Sequence, residues 1–182
     1  NDPQISDINP EQSAIGQGNH SFANIQLSRY VATIANQGTV FELSLIDRVC
    51  DQYGNTLKDY TPQSKTHVDI SPETWGNVKE GMFRVIKDGS ARKVFADSPI
   101  NIAGKTGTAQ ESKTRGNHAF FISFAPYEAP EIAVTVNIPY GYSSTNAAVI
   151  AKNIYSYYYG QISLDYILNN NALDVSDVRI GD

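Results

Sequence analysis

A cation and two hydroxyls stand close together in Ala103-Gly104-Lys105-Thr106-Gly107-Thr108-Ala109-Gln110. Ser98-Pro99 breaks the chain before this stretch, and Glu111 to Asn117 is a polar loop after it, so the segment reads as a β-strand. Side chains alternate along a strand. Thr106 and Thr108 therefore project from one face and Lys105 from the other. Gly107 leaves the backbone uncovered, so another group can approach it closely. An ammonium, two hydroxyls and an open backbone N–H suit a carboxylate and a developing oxyanion. The plainer reading is a polar edge strand, and three letters alone do not separate the two.

Other chemistries find less support. A phosphate-binding loop ending in Gly104-Lys105-Thr106 requires a glycine five residues before Gly104, where Pro99 stands. His20, His67 and His118 have no ligand partner at metal-binding spacing, so no metal or other cofactor is expected. Cys50 has no second cysteine to pair with, and its strand-like surroundings predict a small buried hydrophobe. The 182 residues carry a net charge of −5 and no basic stripe, which argues against nucleic acid as a partner. No apolar run of membrane-spanning length occurs in the sequence.

The elements that must position the strand follow from periodicity. Ile15-Gly16-Gln17-Gly18 reads as a loop. Ser21 reads as the N-cap of a helix whose apolar face holds Ala23, Leu27, Tyr30, Val31, Ile34 and Ala35, with Gly38 as its left-handed cap. Val40 to Cys50 is β-rich. Asp51 to Asn55 forms a turn, and Thr56 to Tyr60 returns as a hairpin. Thr61 to Asp69 reads as a polar connection. Ser71-Pro72-Glu73 starts a second helix, with Trp75, Val78, Met82, Val85 and Ile86 in its stripe and Gly89 at its end. Ser90 to Ser98 reads as a loop. His118 to Phe124 is an interior strand, and Ile132 to Ile138 completes an antiparallel meander. A last helix over about 145–159 presents Ala147, Ile150, Ala151, Ile154 and Tyr158. Residues 161–182 form a partly ordered polar tail. The fold class is α+β, an antiparallel sheet flanked by helices.

Several of these segments resemble one family in order. Ile15-Gly16-Gln17-Gly18, Ile34-Ala35-Asn36-Gln37-Gly38, Glu80-Gly81-Met82 with Gly89-Ser90-Ala91, Ala103 through Gln110, and His118-Ala119-Phe120-Phe121 through Phe124-Ala125-Pro126 are similar to the C-terminal half of the transpeptidase domain of class B penicillin-binding proteins. Lys-Thr-Gly is a signature shared with serine β-lactamases. The resemblance covers residues 13 to 160. It implies a partial β-lactamase-like fold over 1–160, followed by the tail at 161–182.

The resemblance also implies a function. The parent protein would be a peptidoglycan D,D-transpeptidase that cross-links stem peptides through a serine acyl-enzyme and binds β-lactams. It would be anchored at the extracytoplasmic face of the bacterial membrane by a segment outside this chain, among other cell-wall synthesis proteins. Lys105, Thr106, Gly107 and Thr108 would bind the substrate, and the Thr108 N–H would serve the oxyanion. The family's Ser-x-x-Lys and Ser-x-Asn motifs are not matched in place. Ser90-Ala91-Arg92-Lys93 lies just before Lys105, and Ser144-Thr145-Asn146 follows the third strand. The chain thus reads as an active-site wall without a nucleophile, inactive in isolation. The alternative is a non-catalytic binding module that uses the same strand. In the family the strand matching Ile132–Ile138 pairs with strands from earlier in the chain, so the resemblance implies an open edge here and self-association through it.

Overall fold

A computed structural model of the chain describes residues 22–110 and 114–169. Within them run α1 (Asn24–Ala35), β1 (Thr39–Phe41), β2 (Arg48–Cys50), β3 (Thr56–Asp59), β4 (Ser64–His67), α2 (Pro72–Lys87), α3 (Arg92–Phe95), β5 (Ala103–Ala109), β6 (His118–Ala125), β7 (Ile132–Ile138), α4 (Ser144–Tyr158) and α5 (Leu164–Leu168). The class is α+β, as expected. β5, β6 and β7 form an antiparallel meander with β6 central. β6 is buried along the face of Ala119, Phe121, Ser123 and Ala125 and half-buried along the other, where only Phe124 is fully covered.

Strand alternation divides the core in two. Ala119, Phe121 and Ala125 of β6, with Val134 and Val136 of β7, pack against Ala147, Ala148, Ala151 and Tyr155 of α4 and Phe95 of α3. Ala103 of β5 and Phe124 of β6 belong to the second cluster, with Val31, Ile34 and Ala35 of α1 and Trp75 and Met82 of α2. Tyr155 buries its ring, and its hydroxyl lies 2.9 Å from the Ser123 Oγ, itself fully buried in β6. Burial of that phenol pushes its pKa far up, so it stays neutral.

Helix ends follow their local chemistry. Ser71 caps α2 by accepting from the Thr74 N–H at 3.2 Å, with Pro72 in the first turn. α1 starts differently. Ala23 is its N-cap residue, and the Gln26 side chain reaches back to the Ala23 N–H at 2.8 Å. Ser21 and the Ile15–Gly18 loop lie outside the described residues. At the other end of α1, the Gln37 N–H donates to the Ile34 carbonyl and the Gly38 N–H to the Thr33 carbonyl. That pair makes Gln37 (φ 52°) the left-handed cap and Gly38 (φ 103°) the residue after it. A Cβ on Gly38 would sit 2.5 Å from the Val68 carbonyl oxygen, so glycine is required where β4 closes on the helix end.

Several expectations are corrected. The run from Val40 to Cys50 is two short strands, broken where the Ser44 hydroxyl accepts from the Ile46 N–H in a local turn. Cys50 is exposed, because β2 pairs only with β3 in a two-stranded ribbon whose residues all face solvent. The polar connection at 61–69 contains β4, which pairs with β1 through its backbone; its Ser-Lys-Thr-His sequence has no apolar alternation to announce it. Ser90–Ser98 contains α3, anchored by buried Ala91 and Phe95.

Three helix faces also differ. Tyr30 of α1 is exposed. In α2, Val78 is exposed and Lys79 is buried in its place, with its ammonium over the rings of Phe124 and Tyr127. In α4 the small residues Ala147, Ala148 and Ala151 let the helix approach the sheet closely, and Ile150, Ile154 and Tyr158 are left exposed. The expected tail includes α5; residues 170–182 lie outside the description.

Candidate active site

The site residues lie on β5, an edge strand among the described residues. Its partner fixes their faces. Thr106 stands opposite Phe121 and Thr108 opposite Ala119, while Lys105 stands opposite Ile122. Directly opposed residues share a face, so both hydroxyls share the face of Phe121 and Lys105 takes the other. Lys105 and Thr108 are exposed, and Thr106 and Gly107 are half-buried.

Two glycines set this register. A Cβ on Gly104 would lie 2.7 Å from the Phe121 ring and 3.0 Å from the Ile122 carbonyl oxygen, so β5 can pack on β6 at this spacing only without one. At Gly107 the nearest atom to a Cβ would be that of Phe120, at 3.3 Å. A side chain there would crowd β6 and cover the backbone between the two hydroxyls.

The polar contacts are few. Lys105 Nζ donates to the Thr106 carbonyl at 2.6 Å, folding the ammonium back along its own strand. The Thr106 Oγ1 lies 2.8 Å from the Ser90 Oγ. Ser90 belongs to the connection between α2 and α3, where the sequence marks it only as the first residue of Ser90-Ala91-Arg92-Lys93. Its neighbours hold the signal that could have placed it. A Cβ on Gly89 would lie 2.8 Å from the Val85 Cα, and Ala91 is 1 % exposed, so the chain turns tightly under β5 and presents the hydroxyl between them.

The two motif-like stretches, Ser90-Ala91-Arg92-Lys93 and Ser144-Thr145-Asn146, sit in separate parts of the fold. Lys93 lines a cavity of about 360 Å3 with Ile86, Lys87, Arg92, Phe95 and Ile100, to which neither Ser90 nor Thr106 contributes. Asn146 is occupied structurally: its Nδ2 donates to the Gly141 carbonyl at 2.8 Å, tying the β7–α4 turn to the helix start. That turn also holds the end of the β5–β6 loop. The Tyr142 N–H donates to the Asn117 carbonyl, and Arg115 Nη1 donates to the Tyr140 hydroxyl at 3.0 Å. The His118 ring lies tilted against Tyr140, centroids 4.9 Å apart, and its Nδ1 accepts from the Tyr140 N–H. No cluster of three or more metal-ligating side chains occurs among the described residues.

Charged groups behind the site are set by their partners. Glu80 is held below the usual carboxylate range by the Arg84 side chain and then by the Tyr127 hydroxyl. Burial pushes the Lys79 ammonium pKa down.

The model of the penicillin binding protein transpeptidase domain matches residues 2–156. The chain belongs to this family. It is 31 % identical over 167 residues to the peptidoglycan D,D-transpeptidase MrdA of Haemophilus influenzae, spanning 81 % of this chain and 25 % of that protein. Among solved structures, Pseudomonas aeruginosa PBP2 in complex with WCK 5153 is 34 % identical with a TM-score of 0.63, over 84 % of this chain and 34 % of that one. The imipenem acyl-enzyme of penicillin-binding protein A from M. tuberculosis is 27 % identical with a TM-score of 0.65, over 79 % and 33 %. The chain thus spans about a quarter of the length of the curated transpeptidases it matches. No helix of the described residues is long and apolar enough to cross a membrane.

Proposed function

We propose that this chain is the carboxylate-binding wall of a serine D,D-transpeptidase whose nucleophile lies in a part of the protein outside these residues. The observation that carries the reading is β5 itself. It sets two hydroxyls on one face and an ammonium on the other, at a sheet edge among the described residues, within a chain of the transpeptidase family. The acyl-enzyme complex that penicillin-binding protein A of M. tuberculosis forms with imipenem supports acyl-transfer chemistry in this reading.

In this reading a serine hydroxyl attacks the carbonyl of a D-alanyl-D-alanine peptide bond. The terminal D-alanine leaves with a proton on its amine, and an acyl-enzyme remains. The amine of a second stem peptide attacks the ester, forms the cross-link and frees the serine. Thr106 and Thr108 donate their hydroxyl protons to the substrate's terminal carboxylate. Lys105 supplies the positive field, and Gly107 keeps the backbone accessible. The Thr108 N–H is one oxyanion donor. β-Lactams carry a carboxylate and a strained amide in the same relation, so they acylate the same serine.

The isolated chain, lacking Ser-x-x-Lys and Ser-x-Asn in place, is inactive in this account. The parent works at the extracytoplasmic face of the bacterial membrane with the other proteins of wall synthesis, and residues 161–182 follow the domain as a tail. A non-catalytic module would use the same strand to hold a peptide carboxylate without turnover. Kinetics separate the two: in the complete protein, Lys105→Met lowers the acylation efficiency of a labelled penicillin roughly ten- to a hundredfold, the value of a lost charge-assisted hydrogen bond. Unchanged acylation would remove Lys105 from the site, and no acylation of the unsubstituted protein would favour the binding module.

A further inference from the structure

The hydroxyl–hydroxyl contact between Ser90 and Thr106 carries a consequence for how β5 receives its ligand. A threonine hydroxyl has one proton to donate and two lone pairs to accept with. A carboxylate only accepts. If Thr106 gives its proton to Ser90, it has none for a substrate carboxylate and presents only lone pairs to it. The two oxygens lie 2.8 Å apart, and either can be the donor when the site is empty. A bound carboxylate removes that choice.

We infer that Ser90 is a positioning residue for carboxylate binding: its hydroxyl donates to Thr106 Oγ1, which turns the Thr106 proton outward toward the ligand. This rests on the transpeptidase reading above. The contact is built into the fold. Ser90 is bracketed by the tight backbone at Gly89 and the buried Ala91, and the Ala91 N–H is bound to the Val85 carbonyl at 3.1 Å. Thr106 is fixed from the other side by its pairing with Phe121. The two backbones therefore place the oxygens within hydrogen-bond distance, on the exposed side of the fold, before any ligand arrives, so the donor is already positioned. A relay of hydroxyl to hydroxyl to carboxylate also polarises each bond in turn. Ser90 touches no reacting atom in this scheme. It acts through Thr106 alone, and that is the property to test.

The experiment is a double-mutant cycle in the complete protein, read as the second-order rate of acylation by a labelled penicillin, with melting temperature recorded for each variant. Ser90→Ala is expected to lower the rate roughly three- to tenfold, the range of one neutral hydrogen bond. Ser90→Thr, which keeps the hydroxyl, restores it. In a Thr106→Val background, Ser90→Ala has no further effect, because the group it acts through is gone. The inference is overturned if Ser90→Ala acylates at the unsubstituted rate. It is equally overturned if the two single losses multiply in the double variant, or if Ser90→Thr fails to rescue at an unchanged melting temperature, since each result marks a purely structural role. Failure of the unsubstituted protein to acylate at all would instead sink the transpeptidase reading on which the inference stands.

Discussion

At the scale of single residues, Lys79 departs furthest from its type. Lysine is rarely buried without an acidic partner, yet this one is 9 % exposed, with its ammonium 5.5 Å from the centre of the Phe124 ring. Burial lowers its folded pKa below the unfolded value near 10.4. The sign follows directly. The folded state disfavours the charged form, so the penalty is fully present below the folded pKa and is relieved as pH rises through it toward about 10.4. Lys79→Met keeps the stem against the rings and removes the charge. We expect the variant to melt at a higher temperature at pH 7 and to lose the alkaline gain in stability that the unsubstituted protein shows; calorimetry across pH 7–10.5 checks both. The sequence put Val78 in the buried stripe instead, because hydrophobicity alone does not reveal a charge whose stem lies along aromatic rings. The faces of Lys105, Thr106 and Thr108 are the opposite case: they are legible from strand alternation alone, and the pairing with β6 agrees. Ser90 is not, because its partner lies sixteen positions away and only the turn at Gly89 brings the two together.

At the scale of elements, β5 depends on the absence of a side chain at Gly104. Gly104→Ala places a Cβ 2.7 Å from the Phe121 ring and 3.0 Å from the backbone at Ile122. The ring could turn, but the carbonyl is held in the sheet, so we expect a loss of about 1–3 kcal/mol, typical of overpacking. Acylation should fall as well, because β5 shifts. Removal of the α2 cap by Ser71→Ala should cost about 1 kcal/mol with no change in acylation per folded molecule; denaturant melts and labelling together distinguish the two variants. The start of α2 is legible because Ser-Pro-Glu states a cap, a first-turn proline and an acid. The strand β4 is not, because its four polar residues pair through backbone groups that carry no side-chain signal. The α4 face is legible at Ala147 and Ala151 but not beyond them, because Ala148 and Tyr155 complete the buried side and Ile150, Ile154 and Tyr158 are exposed.

At the scale of the whole molecule, the described residues form a sheet with two strand edges. β5 is one of them and carries the proposed site. β7 is the other, touched from outside by the Asn24 side chain, which donates to the Thr135 carbonyl at 3.3 Å. Ile150, Ile154 and Tyr158 of α4 remain exposed beside it. With about three quarters of the relatives' length lying outside this match, we expect the isolated chain to associate with itself through β7. Solution scattering should show mass rising with concentration; a monomer at the highest concentration reached would count against it. The account as a whole holds that this chain is a wall and that the serine facing it lies elsewhere. The most direct test is to treat the complete protein and the isolated chain with a labelled penicillin and locate the adduct by peptide mass spectrometry. The account predicts one adduct per complete protein, on a serine outside residues 1–182, and none on the isolated chain. A stoichiometric adduct on Ser90, or on any other serine of these 182 residues, would contradict it.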